Sequence, residues 1–128
     1  MNDSSNQKKA VWSLRLGLAA MFGYSGVDIL LHPTAWYWAV RGLPLFVQNI
    51  INAIGIDMYL ILQGASEVFF ALVFLCWVWP RLTRTVALLA AVEMALILLM
   101  VGVDSITFRD FGPLGSAVAL FFLLSFRA

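Results

Sequence analysis

Residues 57–103 read DMYLILQGASEVFFALVFLCWVW-P-RLTRTVALLAAVEMALILLMVGV, two long apolar runs on either side of Pro80. As a helix each would be about 34 Å long, enough to cross the ~30 Å hydrocarbon core of a bilayer. Each run carries one acid near its middle, Glu67 and Glu93, with Asp57 at the start of the first, and the only bases are Arg81 and Arg84 just after the proline. This is the pattern of two membrane-spanning helices joined by a tight turn.

N-terminal to this pair, Ala10–Leu31 forms another run of spanning length. Phe111–Phe126 is shorter, about 24 Å as helix, and the expected span starts near residue 107 to make up the difference. The predicted spans are therefore 10–31, 57–79, 81–103 and 107–126. Between the first two, His32-Pro33 ends a helix and Trp36, Tyr37 and Trp38 form an aromatic cluster suited to the headgroup level. Pro44 is placed to begin a further helix. In it Phe46, Val47, Ile50, Ile51 and Ile54 share one face, while Gln48, Asn49 and Asn52 share the other. Residues 33–55 are accordingly expected to lie in the interface instead of crossing. Residues 1–9 are polar and expected to form a disordered cytoplasmic tail. The run after Lys8-Lys9 is too long for a signal peptide, carries Arg15, and lacks a small-x-small exit site.

Composition agrees. Apolar residues make up 62% of the chain and charged residues 12%, against about 25% charged in ordinary soluble proteins. A single domain of 128 residues could not hide so much apolar surface from water. The fold expected is an all-α integral membrane protein, a four-helix transmembrane bundle with one amphipathic interfacial segment. Charge sets its orientation. Four crossings with a cytoplasmic N-terminus place Lys8, Lys9, Arg15, Arg81, Arg84 and Arg127 inside, and only Arg41 and Arg109 outside. Both termini are expected on the cytoplasmic side of the inner membrane.

Several function classes drop out. A net charge of +1 offers no clustered basic face for nucleic acid. The lone Cys76 can form no intramolecular disulfide and belongs to no dithiol motif. One histidine, His32, cannot build a bis-His haem site or a His-rich metal site, so no metal is assigned. Cys76 reads as a small hydrophobe, and the Trp77–Trp79 pair as an interface anchor.

Ionisable residues inside the spans are the candidates for chemistry, because each costs at least ~2.5–3.5 kcal/mol at the bilayer centre. Glu67 and Glu93 stand equally far from Pro80, so an antiparallel hairpin puts them at equal depth. Two buried carboxylates cannot comfortably both ionise; one holds a proton, or a cation lies between them. Arg15 is the cation at hand, and Gln63, one turn from Glu67, extends the polar stripe with Ser66. Arg15, Gln63, Glu67 and Glu93 form either a clamp that sets helix register or a site handling protons or a ligand. A second cluster, Asp28, Asp104, Arg109 and Asp110, gathers at the outer end, where capping and salt bridging are expected. Small residues at Ser13/Gly17, Ala19/Gly23, Gly64 and Ala71 are expected to bring helices close.

The order of several short motifs resembles the DoxX-like membrane proteins. These are Arg15-Leu16-Gly17-Leu18, Phe22, Gly26-Val27-Asp28, the His32-Pro33 break, Glu67, Arg84 with Ala87, and Arg109-Asp110-Phe111-Gly112-Pro113-Leu114-Gly115. The resemblance runs from about Leu14 to Phe126. Ile29 stands where a basic residue is common, and Ala71 where a glycine is expected. The resemblance implies a four-helix bundle in the cytoplasmic membrane, associated with quinone-linked oxidation or membrane redox-stress complexes. On that basis the chain is expected to be an accessory subunit, with a quinone as candidate cofactor and a membrane protein or a second copy as partner. The competing expectation is a non-enzymatic bundle that organises a membrane complex or holds a lipid.

Overall fold

A computed structural model describes residues 3–76, 79–102 and 110–125. These are almost entirely helical: α1 (Asp3–Leu31), a 3-10 turn (Pro33–Trp36), α2 (Tyr37–Arg41), α3 (Leu45–Ile54), α4 (Ile56–Leu75), α5 (Pro80–Met100) and α6 (Phe111–Ser125). Helices α1, α4 and α5 are long and apolar enough to cross a membrane, while α3 and α6 are shorter apolar helices. The chain is thus a helical protein of membrane type.

Backbone chemistry explains the breaks. Pro33 disfavours helical geometry in the residue before it, and His32 leaves the helix at φ −133°, ψ 60°. Gly55 separates α3 from α4 at φ +104°, a conformation that costs glycine little and other residues much. Pro44 stands one position outside α3 as its N-cap, whereas Pro80 begins α5 at a position where no N–H is needed. Gly102, at φ +87°, follows the end of α5.

Three boundaries differ from the sequence reading, one being the end of α5 at Met100 instead of residue 103. Helix α1 begins at Asp3, so residues 3–9 are its first turns and not a disordered tail. Once the apolar part nucleates the helix, adding polar turns costs little. Helix α4 stops at Leu75, short of Trp79, and Cys76 is extended at ψ 125°. Its last carbonyls are taken by the Arg15 side chain of α1.

The packing order around the bundle is α4, α1, α6, α5. Helix α1 lies along α4, α6 packs on both α1 and α5, and the α4–α5 seam is the loosest of these contacts. One core, at the end of the bundle where α1 begins and α4 ends, contains Val11, Leu18, Phe22, Phe74, Ala90 and Leu120. A smaller one gathers Ile29, Val40, Ile51 and Leu60 beneath the α2–α3 segment. Helix α3 turns Ile51 inward while Phe46, Ile50 and Ile54 stay exposed.

Helices α1 and α4 cross with backbones touching at Gly26 and Gly64. A Cβ on Gly26 would lie 2.9 Å from the Gly64 carbonyl oxygen, and one on Gly64 would lie 2.9 Å from that of Gly26. Gly23 makes an ordinary contact, 3.6 Å from the Ala71 Cβ, and Gly17 has nothing within 4 Å. Gly17 therefore plays no part in the close approach that its small-residue spacing had suggested.

Candidate functional site

The loose α4–α5 seam leaves a cavity of about 590 Å³, bounded by α1, α4, α5 and the α2–α3 segment. Its size falls within the ~300–1,000 Å³ range of small-molecule sites. The walls are mostly apolar, among them Ile29, Leu60, Phe70 and Ile97, and Trp36 and Trp38 line the end under α2. The two indoles are stacked, with ring centroids 6.3 Å apart.

Polar side chains converge on this cavity from three helices. Gln63, one turn before Glu67 on α4, is the hub: its amide nitrogen donates to Glu67 Oε1 at 3.1 Å and also to Glu93 Oε1 on α5. A side-chain amide has two N–H donors, one for each carboxyl. Ser25 on α1 donates its hydroxyl to the other oxygen of Glu67. Glu67 is only 4% exposed, and its carboxyl also interacts with Glu93. Tyr59 and Asp110 line the same cavity.

Of the four residues expected in the intramembrane cluster, Gln63, Glu67 and Glu93 come together and Arg15 does not. Arg15 lies ten residues before Ser25 on α1, about 15 Å along the helix axis. It is 1% exposed and donates to the C-terminal end of α4: Nε to the Phe74 carbonyl at 2.7 Å, and Nη2 to that of Cys76 at 2.6 Å and of Val73 at 3.4 Å. The guanidinium also sits over the Trp12 ring, 4.7 Å from its centroid. A cation at the C-terminus of a helix meets both the unpaired carbonyls and the negative end of the dipole. Arg15 thus caps α4 instead of neutralising the glutamates.

Of the outer cluster, Asp28 and Asp110 are among the described residues. Asp28 accepts from Trp36 Nε1 at 2.9 Å and lies 3.2 Å from His32 Nδ1, fastening the 3-10 turn back onto α1. Asp110 lines the cavity. Asp104 and Arg109, like Trp77 and Arg127, lie outside the described residues. Cys76 is exposed.

Sequence reasoning missed Ser25 and Tyr59. Ser25 is a hydroxyl within an apolar span, which is a weak signal; only the α1–α4 crossing, which passes beside it at Gly26, aims it at Glu67. A further latch was also unforeseen. The Tyr37 hydroxyl donates to Asp57, joining α2 to the start of α4, and this bond holds the phenol above its ordinary titration range. The neutral phenol is the donor, so the latch is intact below pH ~10 and is lost as pH rises through the elevated folded value. Titrating phenolate absorbance should find late tyrosine ionisation, and Tyr37→Phe should remove one late component. A wild-type titration with no late component would contradict the latch.

Comparison with protein-family models, with curated proteins and with solved structures gives no match to this chain.

Proposed function

We propose that the cavity holds the headgroup of a membrane-soluble quinone. In this reading the chain is a DoxX-like accessory subunit of a quinone-linked or redox-stress complex in the cytoplasmic membrane. The observation that carries it is the convergence of Ser25, Gln63, Glu67 and Glu93 on an otherwise apolar cavity of ligand size. A quinone ring needs apolar walls for its faces and a few hydrogen-bonding groups for its two oxygens, the composition usual for small-molecule sites. Reduction to the hydroquinone takes two electrons and two protons. A partner subunit would supply the electrons, and the paired carboxyls would exchange protons with the quinone oxygens across one hydrogen bond.

The same reading includes four crossings, with α6 as the fourth, α3 lying in the interface, and both termini cytoplasmic. The exposed apolar edge of α3, opposite Asn49 and Asn52, supports the interfacial placement. The excess of Lys and Arg on one side supports the orientation.

Mass spectrometry of proteins and small molecules co-purifying with the full chain from native membranes tests the proposal. A stoichiometric quinone is expected, and Glu67→Gln should weaken its binding about ten- to a hundred-fold, the worth of one charged hydrogen bond. Lipid alone, with quinone binding indifferent to both Glu67→Gln and Glu93→Gln, would refute it.

One observation favours the alternative, a non-enzymatic structural bundle. Among the described residues every buried side-chain nitrogen and oxygen already has a partner, so the glutamates and Gln63 can serve as a clamp between α1, α4 and α5. That role predicts that the glutamine variants lower thermal stability and leave no ligand affinity changed.

A further inference from the structure

We infer that the cavity opens sideways into the lipid through the slot between α4 and α5, so that its ligand enters from the bilayer and leaves an apolar tail in that slot. This rests on the reading of the cavity as a headgroup site. Leu89, Val92 and Leu96 line the cavity, yet they are 49%, 48% and 45% exposed. They belong to α5, one of the helices long and apolar enough to cross a membrane, and they stand near its middle. At that depth a side chain exposed on the bundle surface meets lipid chains. A residue that both lines a cavity and faces lipid marks a mouth, and three at i, i+3 and i+7 mark one running along the helix.

The neighbouring structure agrees with an opening on this side. The α4–α5 seam is the loosest of the four around the bundle, and it is bridged by a polar link from Gln63 to Glu93. The opposite boundary is closed by the Gly26–Gly64 crossing, where backbones touch. The end under α2 is covered by Trp36, Trp38 and Val40.

Size sets the class of ligand. A cavity of about 590 Å³ encloses a drug-sized group, which covers a substituted ring and not a long prenyl chain as well. The ligand is therefore divided: a ring with hydrogen-bonding oxygens at Gln63 and the glutamates, and an isoprenoid or alkyl tail passing Val92 and Leu96 into the bilayer. Each tail methylene that leaves contact with water adds to affinity, but one already dissolved in lipid gains mainly from packing in the slot.

The full chain in lipid nanodiscs tests this with two probes, a decyl-substituted benzoquinone and the same ring without its tail. Binding is read from quenching of tryptophan fluorescence, since Trp36 and Trp38 line the cavity. Val92→Phe and Leu96→Phe, which fill the slot, should weaken the decyl probe about tenfold and leave the tail-less ring unchanged. Leu99→Phe, on the exposed surface and off the cavity, should change neither. Val92→Ala, which widens the slot, should bind the decyl probe at least as well as the original chain, and serves if the phenylalanine variants fail to fold. Undiminished decyl binding in both slot variants, equal weakening of both probes, or loss of decyl binding in Val92→Ala would overturn the lateral opening while leaving the headgroup site standing. Failure of the unsubstituted chain to bind either probe would overturn the headgroup reading and this inference with it.

Discussion

Gly26→Val is expected to remove most of the bundle's stability, a loss of at least about 3 kcal/mol, at the upper end of what overpacking usually costs. The added Cβ alone would sit 2.9 Å from the Gly64 carbonyl oxygen and from the Val68 nitrogen. Both are backbone atoms of α4, which cannot swing aside as a flexible side chain would. Relief requires α1 and α4, the most extensively packed pair, to separate along their length. Gly64→Val meets the same obstacle from the other side. Even alanine should destabilise at Gly26 and Gly64, although alanine favours helix over glycine by about 0.8–1 kcal/mol. At Gly17, with nothing within 4 Å, that propensity gain acts unopposed and Gly17→Ala should be neutral or slightly stabilising. Thermal unfolding in detergent, followed by circular dichroism, separates the three positions. Equal melting of Gly26→Val and the original chain would disprove the crossing.

The crossing also bears on the site. A Cβ on Gly26 would come within 3.0 Å of the Glu67 Cβ, so Gly26→Ala should shift Glu67 away from Ser25 as well as loosening the helices.

Arg15→Met should have the second largest effect, a loss of about 3 kcal/mol or more. A hydrogen bond to a charged group contributes roughly 1.5–3 kcal/mol, and Arg15 donates at 2.7 Å and 2.6 Å to the carbonyls of Phe74 and Cys76. Methionine fills much of the space but leaves the carbonyl of Phe74, at the buried end of α4, without this donor. Arg15→Lys should fall between. An ammonium keeps the charge at the helix terminus but lacks the planar fork that reaches several carbonyls at once. Because the chain leaves helical geometry at Cys76, Arg15→Met should also loosen the α4–α5 connection. Hydrogen exchange would report faster amide exchange there, with that around Gly26 and Gly64 little changed. Protection and melting both unaltered in Arg15→Met would show that the cap contributes nothing.

The polar cluster was partly legible. Equal spacing of Glu67 and Glu93 about Pro80 places the two acids at one depth, and the i, i+4 relation of Gln63 to Glu67 puts an amide beside them. Arg15 was misassigned because charge alone suggested a carboxylate partner. At a helix terminus the orphaned carbonyls compete for the same cation, and Arg15 lies level with the end of α4, about three turns of α1 from the glutamates. Asp110 also lines the cavity, a placement that its sequence neighbourhood does not reveal.

The features legible along the chain are those that local physics decides. Hydrophobic length marks α1, α4 and α5 as helices able to cross a membrane, because transfer into lipid sums residue by residue along one segment. The breaks at His32-Pro33 and Pro80 follow from a ring that restricts its own backbone and its neighbour's. Tertiary structure alone decided the order of helices around the bundle, the backbone contact of Gly26 with Gly64, the partner of Arg15 and the cavity between α4 and α5. Those depend on how each helix is rotated and how closely it approaches the next. That is settled by the volumes meeting at each crossing, which lie far apart in the chain and leave no periodic trace along it.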